Sequence, residues 1–234
     1  MNTDLPRHGP ARSRSRAPLP RAQCARRCAA AALVAVGLLA GCASGKQYLI
    51  SVDGSIPTPL VESLPVRVGV YYSPEFSNYT SAEESLSGDT WQVAFADLQQ
   101  RYVHAMLTSA FDEVVISPTA TPGTDVSYDV LLVPEVENFS FLTPRESGSK
   151  FFAVSMRHFV RFIGVDGTDY GAWEINSYGR SRSSFGRSIK DLASEACLDA
   201  MRDLATSVIV GLPEEIVNRG IDGIAEQASR GPRL

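Results

Sequence analysis

The chain has 234 residues, with 22 Lys and Arg against 26 Asp and Glu, a net charge of −4. Seven arginines and Asp4 precede residue 42, which leaves 15 basic and 25 acidic side chains from Cys42 onward, a net of −10. A surface of that charge repels phosphate, so nucleic acid is excluded as an expected partner. The net charge also predicts no attraction to anionic lipid.

The first 41 residues have the pattern of a signal peptide. The seven arginines lie between Arg7 and Arg27, and an apolar run of about a dozen residues follows from Ala29 to Ala40. A helix needs about 20 apolar residues to cross the hydrocarbon core of a membrane. The run therefore indicates a secretion signal that is removed, and not a permanent span.

Leu39-Ala40-Gly41-Cys42 follows the apolar run and resembles the lipobox of bacterial lipoproteins. The resemblance implies cleavage between Gly41 and Cys42 and a diacylglycerol on the thiol of Cys42. It implies a periplasm-facing protein, anchored in the outer membrane because Ala43 stands where aspartate would favour the inner membrane. The alternative is a chance match behind an ordinary secretory signal.

The cysteine count predicts a domain without disulfides. Cys24 and Cys28 leave with the signal peptide, and Cys42 is used for lipid. Cys197 then has no partner within the chain. Its place beside the apolar stripe of a predicted helix favours a small buried residue over a reactive thiol.

The mature chain is predicted to contain a tether over 42–64, a folded domain over 65–212, and a short helix with a frayed tail over 213–234. Gly and Pro mark the tether, although Tyr48-Leu49-Ile50 could add a short edge strand. Ser73–Gly88 is predicted to be a polar loop whose partial deletion, over 77–86, would leave stability almost unchanged.

Apolar periodicity predicts strands and two long helices in the domain. Asp89, with Gln92 three residues on, is predicted to cap the first helix, and Ser184 or Ser188 to begin the second, which ends at Gly211 and Pro213. The predicted strands and turns are Val66–Tyr72, Phe111–Ile116, Val130–Phe141 (with Pro134 at an edge or bulge), the Thr143–Lys150 turn, Phe152–Phe162, the Asp166-Gly167 hairpin and Tyr170–Tyr178. The order predicts an α+β two-layer sandwich, a mainly antiparallel sheet of four to five strands on two long helices.

Few residues suggest catalysis or metal binding. His104 and His158 are expected to be structural, because no His or Cys spacing suits a metal, and no cofactor is expected. Gly179-Arg180-Ser181-Arg182-Ser183 partly resembles a nucleophile elbow, but Ser183 stands where that pattern requires glycine. Ser181 and Ser183 are the only candidate nucleophiles.

Positive charge is concentrated in the connector that holds Arg180, Arg182 and Arg187. It could meet an acidic partner, a lipid headgroup, or the chain's own Glu83-Glu84 pair. The Ser73–Gly88 loop and the Thr143–Lys150 turn, with Arg145, are predicted to form a partner-binding end. Together these give the candidate binding residues Glu83, Glu84, Arg145, Arg180 and Arg182.

The arrangement over about 48–211, from the Val66–Tyr72 strand to a closing helix, resembles the auxiliary lipoproteins of ABC-type envelope transport systems and the lipopolysaccharide-assembly lipoprotein. The resemblance implies a non-catalytic accessory or scaffold subunit of an envelope complex in transport or assembly, with an envelope protein as partner. A lipid carrier and a serine hydrolase are the alternatives.

Overall fold

The computed structural model describes residues 45–55, 60–86, 88–123 and 126–222, so the predicted signal peptide and Cys42 lie outside the described residues. The helices and strands of the described part are β1 Gln47–Ser51, β2 Leu64–Val70, α1 Pro74–Ser77, β3 Thr80–Glu84, β4 Thr90–Ala94, α2 Leu98–Ala110, β5 Phe111–Ile116, β6 Val130–Leu142, α3 Pro144–Ser147, β7 Phe151–Gly164, β8 Asp169–Arg182 and α4 Ile189–Asn218. None of the described helices is both long and apolar enough to cross a membrane.

The strands form two sheets. A five-stranded sheet has the order β5-β2-β6-β7-β8, and a three-stranded sheet has the order β1-β4-β3. β2 pairs in parallel with both β5 and β6, whereas β6, β7 and β8 form an antiparallel meander. The expected α+β class is confirmed, but the larger sheet is mixed and not mainly antiparallel, because two of its four pairings are parallel.

One face of the larger sheet carries the main core, which also includes α2, α4 and the smaller sheet. Aromatic contacts join the two sheets: Trp91 lies 5.1 Å from Phe141, and Phe95 lies 5.8 Å from Phe139, between ring centroids. The opposite face is covered in part by the segment before β6, where Tyr128 packs with Leu131. Burial of these large side chains is the main stabilising contribution.

The predicted helix from Asp89 was wrong in its first two turns. Thr90–Ala94 is strand β4, and the helix begins only at Leu98, after Ala96 adopts a positive φ of 48°. Trp91, Val93 and Phe95 are buried at alternate positions, which is the period of a strand. The helix was predicted because Trp91, Ala94 and Phe95 also have helical spacing. Asp89 caps no helix and instead accepts a hydrogen bond from Lys46 N at 2.8 Å. The domain therefore has one long helix, α4, beside the 13-residue α2.

Helix α4 continues past its predicted end at Gly211. It has 30 residues, contains Pro213, and ends at Asn218. Its last turns are anchored because Leu212 and Ile216 are buried in the core. This packing outweighs the hydrogen bond that a proline removes from a helix interior. The predicted boundary at residue 212 consequently falls inside a helix.

The predicted Ser73–Gly88 loop contains regular structure. Ser73 caps α1, accepting a hydrogen bond from Phe76 N, and β3 pairs antiparallel with β4. Phe76 is buried and Tyr79 packs against Phe95. The prediction of an unstructured polar loop was wrong, and since deletion of residues 77–86 would remove β3, we now expect that deletion to lower stability.

The predicted tether also contains part of the fold. β1 pairs in parallel with β4, which buries Ile50, and Val52 N donates to Ala94 O at 3.0 Å. The folded unit accordingly begins at Gly45 and not at Pro65. Pro134 fits its predicted position, because β2 pairs with β6 only as far as Leu132 and leaves that edge of β6 open beyond it.

Candidate functional site

A cavity of about 270 Å³ lies at the end of the domain where β1 and β4 begin and where β8 leads into α4. We call it the end cavity. Its wall is formed by residues from the starts of β1, β4 and β7, the β6–β7 turn, the connector before α4 and the first turn of α4. These residues are Tyr48, Asp89, Trp91, Thr143, Pro144, Arg145, Phe152, Ser183, Ser184, Arg187, Ile189 and Leu192.

The apolar wall of the cavity is aromatic. Tyr48 and Trp91 stack with their ring centroids 4.2 Å apart and their planes 10° apart. Phe152 meets Trp91 edge-on at 6.3 Å. Trp91 is buried, and its Nε1 has no hydrogen-bond partner within the described part of the chain. Parallel pairing of β1 with β4 aligns Tyr48 directly with Trp91 and so produces the stack.

The polar rim of the cavity carries two guanidinium groups. Arg187 Nη1 lies 2.6 Å from Glu195 Oε2, whereas Arg145 has no ion pair with any described residue. The connector is held in place because Ser183 N donates to Lys150 O at 2.7 Å. An aromatic wall with cationic groups at its mouth can bind a ligand that is apolar at one end and anionic at the other.

The predicted meeting of the Ser73–Gly88 and Thr143–Lys150 segments is present. Leu86 N donates to Glu146 Oε1 at 3.0 Å, and Phe141 N donates to Glu83 Oε2 at 2.8 Å. Burial raises the pKa of Glu83 above its ordinary value. Burial alone would raise the pKa of Glu146 as well, but hydrogen bonds from Thr143 and Leu86 outweigh it and lower that pKa.

The five predicted binding residues differ in exposure and in location. Glu83 is half-buried and accepts a hydrogen bond from β6, whereas Glu84 is exposed at the end of β3. Arg180 lies over the ring of Phe151, 5.5 Å from its centroid. Arg145 and Arg182 are exposed, and of the five only Arg145 lines the cavity.

The two candidate nucleophiles differ in accessibility. Ser181 is buried, and its hydroxyl donates to the carbonyl of Leu192. Ser183 is exposed at the cavity. Within the described residues, neither histidine is hydrogen-bonded to either serine.

The two histidines lie in different surroundings. His104 is half-buried, with Nδ1 3.4 Å from the hydroxyl of Tyr72. His158 is buried, neither of its nitrogens has a partner among the described residues, and burial lowers its pKa to about 4. No three His, Cys, Asp or Glu side chains of the described ranges group as metal ligands.

Sequence reasoning missed the aromatic wall. Tyr48 fell in the predicted tether and Trp91 on a predicted helix face. The segment around Trp91 alternates polar and apolar residues, and Tyr48-Leu49-Ile50 is a short apolar run rich in strand-favouring residues; these were the available signals for strands.

The fold places the chain in the class of two-sheet α+β domains. No protein-family model and no curated protein matches the sequence. Among solved structures it is similar to protein XCC0632 of Xanthomonas campestris, described as DUF330, at 12% identity and a TM-score of 0.44, over 80% of this chain and 100% of that one.

Two further structures are similar to this chain. A Caulobacter crescentus protein described as a candidate lipoprotein matches at 10% identity and a TM-score of 0.34, over 52% of this chain and 80% of that one. The hypothetical protein CT253 of Chlamydia trachomatis matches at 13% identity and a TM-score of 0.35, over 74% and 97%. Similarity at this level assigns neither a family nor a function.

Proposed function

We propose that this protein is a bacterial lipoprotein, cleaved before Cys42, lipidated on that cysteine, and anchored in the outer membrane facing the periplasm. It acts by binding, as an accessory or scaffold subunit of an envelope complex in transport or assembly. The observation that carries the proposal is the order of signals: the Leu39-Ala40-Gly41-Cys42 sequence directly precedes a domain that starts at Gly45.

The end cavity supports a binding role. Its aromatic wall and cationic mouth provide recognition groups, while Ser181 is buried with its hydroxyl committed to a helix carbonyl. Deprotonation of that hydroxyl by a base would first require breaking this hydrogen bond and opening the core. The remaining hydrolase candidate is Ser183, which a fluorophosphonate probe tests directly. Labelling of the wild type but not of Ser183→Ala would support the hydrolase.

Mass spectrometry of the full chain expressed in a Gram-negative host tests the anchor. The N-terminal peptide is expected to begin at Cys42 and to carry the added mass of the diacylglycerol on its thiol. Cys42→Ser should abolish that mass and leave the uncleaved precursor, whereas the matched variant Cys28→Ser should be processed normally. Density-gradient separation of the two membranes then locates the wild type. A wild-type N-terminus without lipid would refute the proposal.

The role as a subunit is tested by photo-cross-linking in intact cells. A cross-linker at exposed Tyr178, on the outer face of the five-stranded sheet, is expected to capture one defined envelope protein. The same captured protein should co-purify with the wild-type chain. Absence of an adduct from Tyr178 and from other exposed positions would contradict the role as a subunit.

A further inference from the structure

We propose that the end of the domain around the end cavity docks onto a membrane surface that contains anionic phospholipid. This rests on the proposed lipidation of Cys42. The docking end consists of two exposed apolar side chains, Leu86 and Phe185, and of six exposed cations that line the end cavity or lie within a few positions of residues that line it. The cations are Lys46, Arg145, Lys150, Arg182, Arg187 and Lys190.

The chain enters the folded domain at this end. Lys46 N donates to Asp89 Oδ1 at 2.8 Å, and Lys46 O accepts from Thr90 N at 2.9 Å, so the backbone is held on both sides. Cys42 lies four positions before Lys46, and four residues of extended chain span at most about 14 Å. A lipid on Cys42 therefore keeps the docking end within about 14 Å of the bilayer surface.

The apolar side chains of the docking end face solvent. Phe185 is fully exposed and Leu86 is 95% exposed. Phe185 directly follows Ser184, and Leu86 lies three positions before Asp89; Ser184 and Asp89 both line the end cavity. Exposed aromatic and aliphatic residues flanked by Lys and Arg are typical of protein surfaces that lie in the membrane interface. Insertion would remove their apolar area from water.

The charges of the docking end are available to lipid phosphates. Of its six cations, only Arg187 is ion-paired within the described part of the chain. Elsewhere the arginines that pair with a carboxylate are Arg67, Arg101, Arg157, Arg161 and Arg219. Unpaired cations beside a membrane anchor are attracted to anionic headgroups within a Debye length of about 10 Å.

Acidic side chains at the same end are largely occupied. Asp89 accepts from Lys46 N, Glu146 accepts from Leu86 N, and Glu195 pairs with Arg187. Glu84 and Asp191 are exposed. The six cations of the docking end outnumber the five carboxylates named here, so the net charge of −10 from Cys42 onward is carried by the rest of the chain, and an anionic surface repels this end less than the rest.

The lipidated full chain tests the proposal in vesicles of phosphatidylethanolamine and phosphatidylglycerol. Leu86→Cys and Phe185→Cys receive an environment-sensitive fluorophore, and Val210→Cys, exposed on α4, is the control. Residue 210 lies 21 positions beyond Ile189, or about 32 Å along the helix. Probes at 86 and 185 are expected to shift to shorter wavelength and resist aqueous iodide, while the probe at 210 remains quenchable.

Charge reversal supplies the second test. Lys150→Glu with Arg182→Glu should restore iodide quenching at 185, whereas Arg101→Glu with Arg157→Glu, an equal change in net charge, should not. Equal quenching of all three probes on vesicles that carry the protein would overturn docking and leave lipidation intact. If the probes at 86 and 185 are already protected from iodide in detergent without vesicles, the occupant of this surface would be a second copy of the chain. That result would also overturn membrane docking. Failure of the wild type to float with vesicles, with no lipid mass on Cys42, would refute the proposed function itself.

Discussion

Gly179 of β8 is in backbone contact with Ala200 of α4. A Cβ on Gly179 would lie 2.2 Å from Ala200 N and 2.0 Å from Ala196 O, which is closer than any real Cβ contact. On either side of this contact, Tyr178 N donates to Asp203 Oδ2 at 2.9 Å and Arg180 N donates to Asp199 Oδ2 at 3.1 Å. β8 is the edge strand of the five-stranded sheet. Helix α4 thus covers an edge that could otherwise pair with another chain.

Gly179→Ala is expected to lower the free energy of unfolding by about 3 kcal/mol or more, at or above the upper end of the usual cost of overpacking. The added methyl meets backbone atoms, so α4 itself has to move. Urea denaturation followed by circular dichroism measures the loss. Gly123→Ala is the matched control, because the nearest atom to its Cβ, on Val126, lies at an ordinary 3.6 Å. Similar stabilities for the two variants would contradict the close contact.

Asp199→Ala and Asp203→Ala should each cost about 1 kcal/mol, because each removes an acceptor from an edge N–H that remains close to solvent. The double variant should also self-associate more readily through β8, as measured by light scattering at a protein concentration where the wild type is monodisperse. Asp→Asn variants keep an acceptor oxygen and should lose less. Glu214→Ala, another exposed acidic position on α4, is the control and should leave scattering unchanged.

His158 should make stability depend on pH. Burial lowers its pKa to about 4 from an ordinary value of 6.5, so between these values the unfolded chain binds a proton that the folded chain does not. The free energy of unfolding is therefore at its full value, as far as His158 is concerned, above pH 6.5, and it decreases as the pH falls toward 4. The full loss is about 3.5 kcal/mol, at 1.4 kcal/mol for each pKa unit.

His158→Leu tests this pH dependence. The variant is expected to become more stable relative to the wild type as the pH is lowered from 7 to 4.5, measured by urea denaturation at each pH. Because the buried ring nitrogens have no partners among the described residues, little stability should be lost at pH 7. His104→Leu is the control. A difference between His158→Leu and wild type that is constant with pH would contradict the lowered pKa.

Cys197 should be unreactive in the folded protein. It is fully buried, and burial raises the pKa of its thiol to about 12. With Cys42 acylated, a thiol reagent at pH 8 is expected to find no reactive group until denaturant is added, and then one per chain. Val210→Cys should react at once under native conditions. Native wild type that reacts as quickly as Val210→Cys would show that the helix interface opens readily.

The sequence alone determined the strands, turns and helix caps whose local residues favour a single backbone conformation. Val66, Val68 and Val70 alternate in β2 as predicted, and Gly167 occupies the β7–β8 turn with a φ of +86°. Ser188 caps α4, accepting a hydrogen bond from Lys190 N. In each case the local residues alone favour one backbone conformation. The lipidation of Cys42, outside the described residues, stays a prediction.

Only the tertiary structure showed which residues lie together at the proposed docking end and in the aromatic wall. The apolar set around Trp91 fits both a strand and a helix, and pairing with β1, over 40 residues earlier, selected the strand. The net charge predicted no attraction to anionic lipid, but a total does not say where the charges lie, and in the described part of the chain unpaired cations lie at the end where the chain enters. Both outcomes depend on contacts between residues distant in sequence, whose free energies a local pattern does not contain.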